Sequence, residues 1–246
     1  MKKFYKNTLL SIGIIPIIAL ILFSSSPVFA LTDSTKTLAA NDDTKLATIK
    51  TRANAEIDKR VTSLSDLISK INSIKRLTAS EKSSYISDIQ TNISDLKALK
   101  IKVDADTALQ AIKTDIKDIY NTFRIYAVYM PKVKLLAAVD AMSVTQTKIS
   151  EELAKLNARI LSDKTAGKNT ATLETVYAEA LAKNADALTQ YTNVETTVKS
   201  LTPAGYPGNS SVLKSARSAL KTASQDLHTA FNDIKTIIAG LKNFKN

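Results

Sequence analysis

Chemistry needs side chains that attack, relay a proton or hold a metal, and this chain offers few of them. Its 246 residues include no cysteine and no tryptophan, and His228 is the only histidine. Without a second histidine or a thiolate, the usual nitrogen and sulfur ligand sets for zinc or copper are missing. No nucleophile or acid–base partner accompanies His228, and the carboxylates recur at helix-surface spacings. The expectation is a protein that is not an enzyme, with no catalytic residue, no metal site and no cofactor-binding residue.

Three polar residues stand out by position. Asp140 falls in phase with a core stripe, ten residues after Met130. A buried carboxylate needs a partner or a raised pKa. Its helix neighbours Leu136, Ala137, Ser143 and Val144 are uncharged, so a partner must come from another helix. The spacing reads as a structural ion pair or register pin. The alternative is a ligand position shared with Arg124. Asn184 lies in the stripe of its own helix, where a lone Asn fixes register, with a binding role as its alternative. Arg124 and Asp140 both belong to Phe123–Met142, a segment apolar on nearly every side. Such a segment is either a buried central helix or a patch for membrane or partner. Arg124, Lys132, Lys134 and Asp140 make insertion into lipid expensive.

The elements that must position these residues are helices. Glycine and proline number five each, and two of each fall between Thr202 and Ser211, so long stretches run free of breakers. Lys2, Lys3 and Lys6 precede an apolar run from Thr8 to Phe23, which ends in Val28-Phe29-Ala30. That is the pattern of a signal peptide over residues 1–30, cleaved after Ala30. An uncleaved anchor is the rival, but the run is short for a span and holds Pro16. Residues 31–43, rich in Thr, Asp and Ala, read as a disordered tail.

From 44 onward apolar residues recur at steps of three and four. A first helix is expected over about 44–77, with a stutter at Ala53, Ile57 and Val61. Thr78-Ala79-Ser80-Glu81 has capping-box spacing and starts a second helix. Asp104 is the expected N-cap of a third, over about 105–161. Its stripe includes Ile112, Ile119, Phe123, Tyr126, Met130 and Val133, in a phase that passes through Pro131. The pattern favours a kinked continuous helix there, with a break as the alternative. A turn over 163–169 leads to a helix over about 171–201. Ser210 or Ser211 caps the last helix, whose seam is Leu213, Ala216, Leu220, Ala223, Leu227, Ala230, Ile234, Ile237 and Leu241. The fold expected is all-α, an elongated antiparallel helical bundle or coiled coil of about five long helices. Two three-helix sub-bundles, 44–130 and 131–246, could share the long helix kinked at Pro131.

The Phe123–Met142 segment, with Tyr-Met-Pro-Lys at its centre and Leu-Leu-Ala-Ala-Val-Asp near its end, resembles a stretch in exported helical proteins of candidate-phyla bacteria. The resemblance covers about twenty residues and carries no activity with it; it implies a bacterial envelope setting. The formal net charge is +11 and becomes +8 without the three leader lysines. Region 44–77 holds eight Lys or Arg against three acids, and region 204–246 six against two. Such faces suit anionic cell-envelope polymers or lipid head groups. They lack the aromatic interleaving of a single-strand binder, so no specific nucleic-acid partner is expected. Self-association through 171–201 and 212–242 is the other partner reading. The leading expectation is a secreted or surface-associated structural or polyanion-binding protein. Its rivals are a membrane-active protein using 123–142 and an extracytoplasmic ligand-binding bundle.

Overall fold

The computed structural model describes residues 42–244. The expected leader and all but the last two residues of the expected tail lie outside the described residues. Every regular element among those described is helical, so the fold is an all-α bundle. The α-helices are α1 (Asp42–Ser73), α2 (Ala79–Ala105), α3 (Leu109–Asn121), α4 (Met130–Thr165), α5 (Ala171–Lys199) and α6 (Asn209–Asn243). A π-helical turn, Ile125–Tyr129, leads into α4, and a 3-10 turn, Pro203–Gly205, lies between α5 and α6.

Local chemistry sets several of these boundaries. The capping box before α2 forms: the Glu81 N–H donates to Thr78 Oγ1 at 3.1 Å, and the Thr78 N–H to Glu81 Oε2 at 2.8 Å. Gly167, at φ 80°, closes α4. Its N–H donates to Lys164 O, and the Lys168 N–H to Asp163 O, which is the double bond of a Schellman end. Two expected caps are corrected. Asp104 lies in the last turn of α2, where Oδ1 accepts from Asn54 and the carbonyl from Lys50; the N-cap of α3 is Ala108, which offers no side-chain cap. The Ser210 and Ser211 hydroxyls donate back to Pro207 O and Gly208 O, and α6 starts earlier, at Asn209.

The expected long third helix is interrupted, though not at Pro131. Arg124 takes a left-handed backbone, φ 40°, between α3 and the π-helical turn. Pro131 lacks an N–H, and in α register its ring presses on the carbonyl four residues back. The wider π turn precedes it, with the Met130 N–H reaching Ile125 O. The extra residue in that turn changes the phase. Ile125, Val128, Leu135, Leu136 and Val139 are buried, while Tyr126, Met130 and Ala137 are only half-buried.

The described residues form two compact units. One holds 42–140 and Asn193–Ser218. In it α1 and α2 make an antiparallel hairpin, with contacts from Asn54 to Asp104, Asp58 to Lys100 and Asn72 to Lys82. The buried residues of α1 are Ala53, Ile57, Arg60, Leu64, Leu67 and Ile71, an alternation of four and three. The stutter is therefore absent, and Arg60, not Val61, occupies the core position. The other unit holds Ala141–Thr192 and 219–244. Pairs from Ser150 to Asn184 and Lys164 to Glu174 make α4 and α5 antiparallel there. Lys183 to Asp226 does the same for α5 and α6. Every residue of the expected α6 seam is buried. The division is discontinuous in sequence and differs from a split into 44–130 and 131–246.

Candidate functional site

The residues singled out by sequence do not converge. Arg124 donates through its guanidinium to Tyr120 O at 3.1 Å and stacks over the Tyr206 ring at 4.5 Å. Those contacts hold an arginine whose backbone geometry costs about 1–2 kcal/mol. Asp140 is half-buried, and Oδ1 accepts the Arg76 backbone N–H at 2.8 Å in the turn joining α1 to α2. Val139 takes the core position beside it. Asp140 is thus a pin between segments, and Arg124 and Asp140 have separate partners. Asn184 is 3 % exposed; Nδ2 donates to Ser150 Oγ at 2.7 Å, and Oδ1 is buried without a hydrogen-bond partner. Gln146 Nε2 donates to the same Ser150 hydroxyl, so Asn184 joins a polar pair between α4 and α5.

Sequence reasoning missed Lys132. It is nearly buried, and its ammonium donates to Lys199 O and Leu201 O, both at 2.9 Å. Those carbonyls close the C-terminal end of α5, where a helix leaves its acceptors unpaired and its dipole favours a cation. The ammonium also stands 4.4 Å from the Tyr85 ring centre. Burial lowers its pKa to about 8, with Asp88 opposing weakly. A cavity of about 60 Å³ adjoins it, bounded by Tyr85, Asp88, Tyr129 and Thr202 among others. That volume suits one or two waters, not a metabolite. The arrangement clamps a helix end. The only signal was a lysine inside an otherwise apolar segment.

A chain of ion pairs supports the same region. Arg76 Nη2 is 2.6 Å from Glu195, Glu195 is 2.9 Å from Lys199, and Lys199 is 2.8 Å from Glu81. Burial raises the Glu195 pKa, but hydrogen bonds from Lys199 and Arg76 outweigh it and hold the carboxyl below its ordinary 4.5. Glu81 is lowered too, by Lys199 and then by the Thr78 N–H.

Apart from the buried Arg60, Asp115, Asp163 and Asp226, the remaining charge is at or near the surface and is unevenly paired. On α1, Arg52, Lys59 and Lys70 are exposed and lack a carboxylate partner among the described residues. At 100° per residue these three fall within about 20° of one another on the helix. In the second unit Lys155, Arg159, Lys164, Lys168 and Lys183 are in ion pairs, while Lys148 is exposed without one among the described residues. Lys221, Lys235 and Lys242 of α6 are exposed and have none among the described residues. His228 is exposed in the same row. Among the described residues no group of three His, Cys, Asp or Glu could hold a metal ion.

The Phe123–Met142 segment turns its large apolar residues inward, and among the described residues no helix is long and apolar enough to cross a membrane. Leu181 and Leu188, seven apart on α5, are its exposed large apolar residues, while the α6 seam is consumed by intramolecular packing. Fold and surface together define a class: an all-α helical bundle with exposed cations outside ion pairs on several helices, α1 and α6 among them. No protein-family model, curated protein or solved structure matches the chain.

Proposed function

We propose that this is an exported, non-enzymatic helical protein that attaches to anionic polymers of the bacterial cell envelope through basic helix faces. Residues 1–30 and the resemblance of Phe123–Met142 support export to an envelope. The observation that carries attachment is the contrast in pairing. The cations of 155–183 are matched with carboxylates, whereas Arg52, Lys59 and Lys70 on α1 and Lys221, Lys235 and Lys242 on α6 stay unmatched and exposed. Unmatched like charges repel one another and weaken the compact state, so they suit a partner that neutralises them.

The membrane-active reading has less support, since the apolar side chains of 123–142 face inward. The ligand-binding reading needs Arg124 and Asp140 together, and they have separate partners. The test is co-sedimentation with purified bacterial envelope and with anionic vesicles, at low and at high salt. Envelope binding that weakens at least tenfold between 0.05 and 0.5 M salt, without vesicle leakage, is the expected result, because exposed charges are screened. Salt-resistant vesicle binding with leakage would refute attachment and favour 123–142. Binding to neither would refute attachment outright.

A further inference from the structure

We infer that the α6 row Lys221, His228, Lys235 and Lys242 is a track for a linear polyanion, an extended phosphate-bearing polymer, and not for a lipid surface. The inference rests on the envelope-polyanion reading and names the helix and the ligand class within it.

The row has strict register. Each member follows a buried seam residue, Leu220, Leu227, Ile234 or Leu241. Packing of the seam therefore fixes where the four side chains emerge. Seven residues of helix rise about 10.5 Å, so the row spans about 32 Å with one basic side chain per heptad. Lys235 and Lys242 stand one such interval apart and Lys221 and Lys235 two, at or above the Debye length of ~8–10 Å at 0.1–0.15 M salt, so each lysine acts on its own stretch of polymer. In a straight helix the row turns about 20° per heptad. A flexible chain can follow that winding along the row's whole length, whereas a flat bilayer meets only part of it.

The charges of α6 are also sorted by face. Asp226 is buried, accepting from Lys183 Nζ at 3.1 Å and Gln190 Nε2 at 2.9 Å. Asp233 is half-buried, and its carboxyl is pushed up by burial and then by Glu179. Neither acid of this helix shares the face of the row. Exposed Gln225 and Asn232 lie beside the basic residues, and their side-chain amides can donate to phosphate oxygens. Interfacial helices instead present large apolar residues to lipid. Such residues are exposed on α2, α3, α4 and α5, and α6 presents none.

The test is binding of fluorescently labelled inorganic polyphosphate to the full chain, read by anisotropy against salt. The double variant Lys221→Gln/Lys235→Gln should bind about tenfold more weakly. Its log–log salt slope should be shallower by about 1.4, at ~0.7 per cation as for single-stranded polyanions. His228→Lys should bind two- to fivefold more tightly and steepen the slope by ~0.7. Lys97→Gln/Lys148→Gln, which removes two exposed lysines of α2 and α4, should stay within twofold of wild type. All these positions are exposed, and far-UV circular dichroism checks that the helices persist. The inference is overturned if the α6 double variant binds within twofold of wild type. It is overturned equally if the Lys97→Gln/Lys148→Gln variant loses as much, or if phosphatidylglycerol vesicles compete as well per charge as polyphosphate. Envelope binding that stays salt-sensitive in the α6 double variant would sink this inference alone. Failure of wild type on both envelope and polyphosphate would sink the broader reading with it.

Discussion

Replacing Lys132 by methionine keeps the length of the side chain and removes its ammonium. Two opposing effects follow. The Lys199 and Leu201 carbonyls lose a charged donor at 2.9 Å each, and an unpaired buried acceptor costs about 1–3 kcal/mol. Against this, the wild-type protein carries the cost of holding an ammonium away from water. Its pKa falls from 10.5 to about 8 in the folded state, the effect of burial. Between those values the unfolded chain binds more protons than the folded one, so stability rises with pH through that window. Between pH 7.5 and 9.5 the full shift amounts to about 2 kcal/mol, and screening at the partly wet cavity reduces it to ~1 kcal/mol. Urea unfolding followed by far-UV circular dichroism, at half-unit steps over that range, reads both quantities. Wild type should gain about 1 kcal/mol from pH 7.5 to 9.5, and Lys132→Met should be flat. At pH 7.5 the variant should be about 1–3 kcal/mol less stable, since losing two acceptors outweighs relief of the burial cost. Above pH 10 the half-buried Tyr85 and Tyr129, whose pKa values are both raised by burial, reverse the trend as the unfolded chain ionises first. A wild type whose stability is flat or falls from pH 7.5 to 9.5 would refute the clamp, and so would a variant as stable as wild type.

Other consequences can be measured in the same assay. Arg60 is 4 % exposed, pairs with Glu56 and stacks over Tyr120 and Tyr126 at 4.6 and 5.1 Å. Arg60→Ala should cost about 2–4 kcal/mol by leaving both a cavity and a carboxylate without its partner, and Arg60→Met should cost less than half of that. A Cβ at Gly240 would lie 2.5 Å from Leu173 Cδ2. Gly240→Ala should therefore cost about 1 kcal/mol in wild type and gain about 0.5–1 kcal/mol in a Leu173→Ala background, a coupling that a double-mutant cycle detects. Glu81 and Glu195 have pKa values held below 4.5, so their contribution is present above the ordinary carboxylate range and is lost as pH falls through it. Glu195→Gln should flatten acid unfolding below pH 5, and an unchanged acid limb would count against the Arg76–Glu195–Lys199 chain.

Where helix packing follows a regular repeat, the sequence was enough. Leu213 to Leu241 places apolar residues at steps of three and four, alternating large and small as far as Ile234, and every member is buried. The Thr78–Glu81 capping box is equally local, set by two side chains three residues apart. Legibility failed where hydrophobicity and register disagreed. At α1 the apolar Val61 hid the continuous alternation that runs through Arg60, and Arg60 is accommodated by Tyr120 and Tyr126, sixty or more residues away. Lys132 is similar, because its partners lie 67 and 69 residues downstream. The shift of phase at Ile125–Tyr129 comes from a π turn, which Pro131 hints at without locating the break at Arg124. The surface rows were half legible. Composition showed basic regions at both ends of the helical chain, but which cations remain unpaired depends on contacts such as Lys183 with Asp226.

α3 has thirteen residues, begins without a side-chain cap and stops just before the left-handed Arg124. A helix that short is marginal on its own in water. Its order depends on contacts made along one side, where Ile112 and Ile119 are buried and Lys102 reaches the buried Asp115. Native-state hydrogen exchange should therefore find its amides opening well before those of α6, in an event far smaller than global unfolding. A protease should find its first cut at one of the two ends of α3, and the nicked chain should keep the α4–α6 helices of 141–192 and 219–244 intact.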